Sequence, residues 1–253
     1  MQVQKALLWW LPPFLFFAIS CSAPAESSGS DFTPSGLATV FVAAPSQVQL
    51  LWNDDDNEPI GQLEAARQKL ETEGETVLLL ANAGIYTPAQ APSGLHVEEG
   101  VELVPLNLNE GSGNFHLTPN GVFVIEQLAT GSRAAVIESN AYNQLSSSGD
   151  LSPWLAVQSG PLLVIDGQPH PVFNPDSRSR FVRNGIGVTD EGLVAIIQSR
   201  RSITFWDFAQ EFISLGIDNA LYLDGSIVRT VQPQPGQAIS PHTPYAGILA
   251  VVE

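Results

Sequence analysis

The chain has 253 residues, of which 44% are hydrophobic and 14% charged, a composition typical of globular proteins. Ten Lys and Arg residues against 26 Asp and Glu give a formal net charge of -16. A chain of this charge repels phosphate backbones, so we exclude nucleic acid and anionic membrane surfaces as charge-bound partners. The length fits one domain of about 200 to 220 residues or two small ones in close contact.

The first 20 residues are predicted to be a secretory signal peptide. Lys5 precedes the apolar run ALLWWLPPFLFFAIS, which is too short for a stable membrane span. The run ends in AISC, which looks like a bacterial lipobox whose Cys21 becomes the lipidated first residue. The alternative is an ordinary signal that is cleaved after Ala23 or Ala25. Both predict export, and lipidation predicts a lipid anchor at the periplasmic face of the outer membrane.

Cysteine usage agrees with this interpretation. Cys21 is the only cysteine, so the exported domain has no intramolecular disulfide and depends on core burial for stability. Residues 21–36 are rich in Ser, Gly and Pro and are predicted to be a lipidated, flexible linker. Residues 37–253 are predicted to form the functional domain.

Residues 37–86 predict two strands, a helix and a third strand. The alternating segments LATVFVA and VQLLW are typical of strands, and IGQLEAARQKLETEG carries a helical apolar stripe that Gly74 ends. TVLLLANAGIY is the next strand. Asp54, Asp55 and Asp56 suggest a calcium loop, but the later Gly and Glu of such loops are missing, which favours a solvated turn and a helix N-cap.

The middle and end of the chain predict an antiparallel meander, a helix and two last strands. Short apolar segments alternate with turns in GLHVEEGVELVPLN, NFHLTPNGVFVIEQ, RAAVIES, WLAVQSGPLLVIDGQP and RNGIGVTDEGLVAIIQSR. The last of these predicts a hairpin across Thr189 to Gly192. Thr204 is expected to cap a second helix that ends at Gly216. LYLDG and YAGILAVVE follow as strands.

These elements predict an α+β fold with mixed, mainly antiparallel sheets and two main helices packed on them. Each helix leads directly into a strand that ends in a small polar motif, ANAG after the first and LDGS after the second. That arrangement suggests two similar halves.

Three apolar strands run into glycine with a polar residue at the tip, where a ligand can approach the backbone closely. The residues at these tips are Asn82 and Gly84, then Ser159, Gly160 and Asp166, then Asp224. Asp166-Gly167 is interpreted as a hairpin turn. Asp224 differs, because Gly225 and Ser226 lead into an apolar run. A carboxylate there can act as nucleophile, general base or charge stabiliser.

Arginines are concentrated in one segment of this acidic chain. Five of the eight lie within 24 residues, at Arg178, Arg180, Arg183, Arg200 and Arg201. Guanidinium groups suit phosphate and carboxylate oxygens, so the segment predicts contact with an anionic substrate group. The alternative, pairing with surface carboxylates, is favoured for Arg200 and Arg201. Arg183 stands just before NGIGV, which favours a functional role.

Motifs for other chemistries are missing. The four histidines lack metal-ligand spacing, and no HExxH, Walker, GxGxxG or GxSxG motif is present. His116 and His96 are candidate pocket-lining residues, although packing is the commoner role of such a histidine. No cofactor is predicted; Asp-rich loops leave a divalent cation open, and no ligand set for a metal follows.

Several motifs, taken in order, resemble the phosphodiester glycosidase family, which was formerly a domain of unknown function. They are NAGIY, PSGLHVEEG, GNFHLTPNGVF, QSGPLLVIDGQPHPVFNPDSRSRFVRNGIGV and DFAQEFISLGIDNALYLDGS. The resemblance spans residues 37–253 and is greatest to a bacterial branch with a PNGVF hairpin and a single LDGS. Where many members have extra glycines, this chain has NAGIY, QSGP and DGS.

The resemblance implies a hydrolase that cleaves the bond between a sugar anomeric carbon and a phosphodiester oxygen, in an envelope or extracellular glycan. It implies that Arg183, with Arg180 or Arg178, holds the phosphate and that Asp224 is the nucleophile or electrostatic partner. Asn82 and backbone amides near Ser159-Gly160 would orient the sugar. Further candidate substrate-binding residues are Gly84, Asn184, Gly225, Ser226 and His116.

A different class of function remains beside this one. A non-catalytic, lipid-anchored module could bind an anionic glycan through the arginine segment without using Asp224. A third alternative, an envelope scaffold, predicts that the Asp224 carboxylate is occupied by internal hydrogen bonds and that no concave pocket adjoins Arg183. The sequence leaves the sugar, the phosphodiester and the oligomeric state open.

Overall fold

A computed structural model describes residues 36–253. The predicted signal peptide and the lipidation site Cys21 lie outside the described residues, as does nearly all of the predicted linker. Within the described part no helix is long and apolar enough to cross a membrane.

Fifteen strands and three α-helices make up residues 36–253, with two short 3-10 helices between them. The first half contains β1 Ala38–Ala43, β2 Val48–Leu51, α1 Leu63–Thr72, β3 Val77–Asn82, β4 His96–Glu98, β5 Val101–Val104, β6 Gly121–Leu128, β7 Gly131–Glu138 and α2 Ser139–Ser148. The second half contains β8 Leu155–Ser159, β9 Leu162–Ile165, β10 Gln168–Pro169, β11 Asn184–Val188, β12 Val194–Ser199, α3 Phe205–Ile213, β13 Ala220–Asp224, β14 Thr230–Val231 and β15 Ile248–Val252.

The strands form three antiparallel sheets. A six-stranded sheet has the order β1-β12-β11-β13-β9-β10, a four-stranded sheet β14-β3-β15-β2, and a five-stranded sheet β5-β4-β8-β6-β7. The predicted α+β class with mainly antiparallel sheets is confirmed.

Alternation along the strands explains how the three sheets pack. In β15, Leu249 and Val251 enter a core shared by all three sheets, whereas Ile248 and Ala250 belong to a separate outer cluster. The same period of two separates inner from outer side chains in β6 and β12. One face of each sheet therefore turns toward a common core.

Each outer face is covered by one helix. Leu63, Ala66 and Leu70 of α1 pack on the four-stranded sheet, Phe208 and Phe212 of α3 pack on the six-stranded sheet, and α2 lies on the five-stranded sheet. Both faces of the central strands are thus buried, which explains why the segment ALYL that precedes Asp224 in β13 is apolar throughout.

The two predicted helices are present with small boundary changes. The first begins at Leu63 rather than near Ile60, because Gly61 adopts a φ of 63°. The second is capped as expected, with the Thr204 hydroxyl accepting a hydrogen bond from the Asp207 amide at 3.0 Å.

The third helix, α2, was not predicted. Its sequence SNAYNQLSSS is mostly polar, and its buried residues are Ser139 and Tyr142. The carboxylate of Glu138 caps it by accepting from the amides of Asn140 and Ala141. The cap and one buried aromatic side chain therefore stabilise this helix. It lacks the apolar stripe from which a helix is predicted.

The acidic segment after β2 is the expected turn. An oxygen of Asp54 accepts hydrogen bonds from the amides of Asp56 and Glu58, at 3.0 and 2.9 Å. This Asp54 oxygen thus closes the turn, as in Asx turns generally.

A register shift re-aims the end of β13. Asn184 lies opposite Asp224, but its neighbour Gly185 lies opposite Tyr222, so Leu223 is an extra residue on the β13 side. Bulges of this kind are common beside functional sites because they redirect a side chain.

Gly185 is required where β11 crosses the core. A Cβ atom there would lie 2.8 Å from the Leu221 carbonyl oxygen and 3.1 Å from the Phe212 ring. We expect Gly185→Ala to lower the free energy of unfolding by about 1–3 kcal/mol, because backbone and ring must move to relieve the overlap. Urea denaturation measures this. Gly36→Ala, which has open space around it, is the control and should change stability little; equal effects would contradict the packing argument.

Candidate functional site

The ends of all three sheets meet at one place. Asn82 ends β3 in the four-stranded sheet, Asp224 ends β13 in the six-stranded sheet, and Ser159 ends β8 in the five-stranded sheet. The Ser159 hydroxyl donates to the Leu223 carbonyl at 3.3 Å. Three polar residues at strand tips that are far apart in sequence, Asn82, Ser159 and Asp224, are therefore brought together and form the polar cluster of this site.

Asn82 is the centre of this arrangement. Its side-chain oxygen accepts hydrogen bonds from the Asn184 side-chain amide at 3.0 Å and from the Arg229 backbone amide at 3.0 Å. The Asn184 amide also contacts the Asn82 carbonyl at 3.2 Å. Both asparagines are fully buried. This pair fixes the end of β3 against the β11–β13 pair, opposite Asp224.

Asp224 is held by the turn that follows it. One carboxylate oxygen accepts from the amides of Gly225 and Ser226 at 2.6 and 2.9 Å, and the other has one long contact of 3.4 Å with the Ile227 amide. Its exposed fraction is 6%. The second oxygen, Oδ2, therefore keeps most of its capacity to meet a reacting atom.

Burial raises the pKa of Asp224, although the three amides that it accepts from act in the opposite direction. Desolvation penalises the charged form of a carboxylate, whereas amide donors favour it. A carboxylate with a raised pKa, inside a cluster of polar residues, has the character of a functional group.

The charge of Asp224 acts on three of the four tyrosines in the chain. The negative charge of Asp224 acts to raise the pKa of Tyr86, Tyr222 and Tyr245, in each case added to the larger effect of burial. The fourth, Tyr142, lies on α2 in the outer cluster of the five-stranded sheet. None of the three is a site residue predicted from the sequence, although Tyr222 stands two residues before Asp224 and Tyr86 two residues after Gly84.

Arg183 lies beneath this cluster. It is 1% exposed, and its guanidinium carbon stands 3.7 Å from the centre of the Phe205 ring. Its nitrogens donate to the Ile203 carbonyl, the Ser179 carbonyl and the Tyr222 hydroxyl. The structure thus places Arg183 where it supports Tyr222. Its role at a phosphate stays a prediction.

Glycines allow the close approach of these segments. A Cβ on Gly225 would lie 2.1 Å from the Tyr222 hydroxyl, and one on Gly84 would lie 3.5 Å from Ser159. Gly84 also has a φ of 110°, which L side chains rarely adopt. Gly160 is packed against the carbonyl oxygen of Phe115, where a Cβ would stand at 2.6 Å. Gly225 and Gly160 therefore allow close packing, and Gly84 allows a backbone conformation that other residues rarely adopt; the roles of all three in substrate binding stay predictions.

The remaining predicted residues lie on the surface or contact residues other than Asn82 and Asp224. Arg178 is exposed, and Arg180 pairs with Asp207 of α3 at 3.2 Å. His116 lies against Phe115, with its ring nitrogen 2.9 Å from the Asn109 carbonyl. His96 is fully buried, and its Nε2 lies 2.7 Å from a Glu98 oxygen. Whether any of them reaches a ligand stays a prediction.

Two further features lie outside the cluster. A groove of about 720 Å³ runs between β2 and the β4–β5 pair, and no residue of the cluster lines it. We place the chemistry at the cluster because there the buried polar side chains of three sheets converge. Within residues 36–253, no three His, Cys, Asp or Glu side chains are grouped so that they could hold a metal ion.

Comparison with known proteins is decisive for the family. The sequence model of the phosphodiester glycosidase family matches residues 75–233, which include Asn82, Arg183 and Asp224. The chain belongs to the phosphodiester glycosidase family. Uncharacterized protein YigE of Escherichia coli K12 is 32% identical over 218 residues, covering 86% of this chain and 80% of that relative.

Solved structures share the fold of this phosphodiester glycosidase family member. The catalytic domain of zebrafish N-acetylglucosamine-1-phosphodiester alpha-N-acetylglucosaminidase has a TM-score of 0.57 at 15% identity, over 89% of this chain and 82% of that one. A putative exported protein of Burkholderia pseudomallei has a TM-score of 0.56 at 11% identity, over 85% and 74% of the two chains. At these identities the likeness establishes the fold.

The raised pKa of Asp224 predicts a pH dependence of stability. Because the folded state binds this proton more tightly than the unfolded chain, the contribution of Asp224 is present at low pH and is lost as pH rises through the folded-state pKa. Asp224→Asn should therefore gain stability relative to the wild type across that interval. Urea denaturation at a series of pH values measures the difference. Asp166→Asn, at an exposed strand tip, is the control; a difference that is constant with pH would contradict the assignment.

Proposed function

We propose that this domain hydrolyses the bond between the anomeric carbon of a sugar and a phosphodiester oxygen. The observation that carries the proposal is the convergence of Asn82, Asn184 and Asp224 at the junction of the three sheets, in a chain of this family. The zebrafish relative is named for the same bond type.

The chemistry of this bond suits a site with one carboxylate. Phosphate is a good leaving group, so the strong general acid of ordinary glycosidases is not required. The reaction does need negative charge near the oxocarbenium-like anomeric carbon. Asp224 Oδ2 supplies that charge, either as the nucleophile or as an electrostatic partner. Overall, the C1–O bond breaks with its electron pair on the phosphate oxygen, and water supplies the new hydroxyl and the proton.

Neighbouring groups hold the carboxylate and the sugar. The Gly225 and Ser226 amides fix Asp224 Oδ1 and so aim the other oxygen. The side-chain oxygen of Asn82 already accepts hydrogen bonds from Asn184 and Arg229. Asn82 therefore orients the sugar chiefly by fixing the strand ends that line the site. The Tyr222 hydroxyl accepts a hydrogen bond from Arg183 and lies beside Gly225. Arg183 thereby helps to hold the turn that follows Asp224.

The substrate class and location extend this proposal. An exported protein anchored by Cys21 would meet sugar phosphodiesters in envelope glycans. The support comes from the N-terminal signal and from the single cysteine at its end.

Turnover of N-acetylglucosamine 1-(methyl phosphate) tests the reaction. We expect the wild type to release methyl phosphate and Asp224→Asn to lower kcat/KM by about 10³-fold, the size of effect seen when a charge-stabilising group is removed. Asp166→Asn is the matched control and should retain full activity, while circular dichroism verifies folding. Absence of product from the wild type across sugars, together with unimpaired glycan binding by Asp224→Asn, would favour the non-catalytic binding module.

Metabolic labelling with radioactive palmitate in a bacterial host tests the anchor. The wild-type chain should incorporate label and sediment with membranes, whereas Cys21→Ser should do neither. An unlabelled, soluble mature protein that begins after Ala23 or Ala25 would show an ordinary cleaved signal instead.

A further inference from the structure

Tyr245 is a buried polar residue that the reaction as described so far does not use. Its exposed fraction is 1%, and among residues 36–253 its hydroxyl has no hydrogen-bond partner. A buried hydroxyl without a partner destabilises a fold, so nearly all such groups are paired. An orphaned hydroxyl beside a candidate site is free to take a ligand as its partner.

The backbone around Tyr245 ties it to the site. Its own amide donates to the Gly61 carbonyl at 2.9 Å, and the Gly247 carbonyl accepts from the Ala83 amide at 2.9 Å. Ile248, the next residue, lies opposite Asn82 in the β3–β15 pair. The loop from Gln232 to Gly247 therefore brings Tyr245 to the end of β3 that carries Asn82, where its ring packs in the outer cluster of the four-stranded sheet and stacks on His242.

Opposite charges act on the Tyr245 hydroxyl. Burial raises its pKa to about 12, the Arg229 guanidinium acts to lower it, and the Asp224 carboxylate acts to raise it. The hydroxyl is thus within electrostatic range of the carboxylate and of a guanidinium. A sugar 1-phosphodiester carries the complementary charges. Its anomeric carbon becomes positive as the bond breaks, which suits the carboxylate, and its phosphate is anionic, which suits the guanidinium.

Arg229 is fixed but retains donors. Its Nη1 and Nη2 atoms donate to the carbonyl and hydroxyl oxygens of Ser240, and its backbone amide donates to Asn82. These side-chain contacts use two of the five N–H groups that a guanidinium carries. Arg183, in contrast, is stacked on Phe205 and buried under Tyr222.

We propose that Tyr245 and Arg229 form the phosphate-binding side of the site, with the Tyr245 hydroxyl donating to a non-bridging phosphate oxygen. This inference rests on the proposed function and adds to it the residues that receive the leaving group. Asp224 faces the anomeric carbon, and Arg229 balances the phosphate charge as the C1–O bond breaks. Ser226 is exposed and Tyr86 is half-buried, so we place the entrance for substrate beside them.

The test compares Tyr245→Phe and Arg229→Gln with two controls, Tyr142→Phe on α2 and Arg200→Gln on the surface. We measure kcat/KM for N-acetylglucosamine 1-(methyl phosphate) and the inhibition constant of inorganic phosphate. Tyr245→Phe should lower kcat/KM about 100-fold. Both site variants should weaken phosphate inhibition at least about 10-fold, as expected for a lost bond to a charged group. The controls should match the wild type.

A stability readout separates a ligand contact from a structural role. Because the hydroxyl has no internal partner, Tyr245→Phe should retain or raise the free energy of unfolding. Loss of stability together with unchanged phosphate inhibition would mean that the hydroxyl serves the fold, and would overturn the inference.

The outcomes also separate this inference from the proposed function. If the wild type turns over the substrate and Tyr245→Phe equals it in kcat/KM and in phosphate inhibition, the inference fails and the proposed function stands. If the wild type yields no product, the proposed function fails, and titration calorimetry with inorganic phosphate decides the inference. Binding by the wild type that is at least about 10-fold weaker in both variants supports it; equal or absent binding overturns it.

Discussion

The amide pair between Asn82 and Asn184 is the contact on which the site depends. It joins the end of the four-stranded sheet to the six-stranded sheet, and both side chains are removed from water. Buried amides must satisfy each other, so the pair permits very few relative placements of the two strand ends. The position of Asp224 follows, because Asp224 lies opposite Asn184 in the β11–β13 pair. A third bond, from the Arg229 amide to Asn82, sets where the chain goes after the Asp224 turn.

The bulge at Leu223 and the glycines around it explain why this site lies at strand ends. The side chains from Ala220 to Leu223 alternate between two apolar clusters. The register shift lies at the end of this run, just before Asp224, and Gly225 lets the turn lie against the Tyr222 hydroxyl. The carboxylate is therefore rigid because of its own turn and desolvated because of its neighbours. These are two of the conditions for a preorganised charge.

Much of the fold and part of the site could be predicted from the sequence, because local patterns determine helices and strand ends. The helix that follows Thr204 is identifiable from its apolar period and its cap, and the strand tips at Asn82 and Asp224 are identifiable from the glycines that follow them. Helix α2 was missed, since one buried tyrosine leaves no stripe to detect. The residues that surround Arg183, and the position of Tyr245 near the end of β3, depend on contacts between segments that are distant in sequence. The pairing of Ile248 with Asn82 is one example. Such pairings leave no trace in either segment alone, so the tyrosines around Asp224 could not be named.

The division of the apolar interior into one shared core and three outer clusters has a consequence for motion. Each helix can detach from its sheet by opening a single outer cluster, whereas separating the sheets requires the shared core to come apart. Local openings of this kind occur at lower free energy than global unfolding. The strand ends that carry Asn82, Ser159 and Asp224 belong to the strands of the shared core. Amide exchange there would occur only when the whole domain opens, while the peripheral helices exchange through smaller fluctuations.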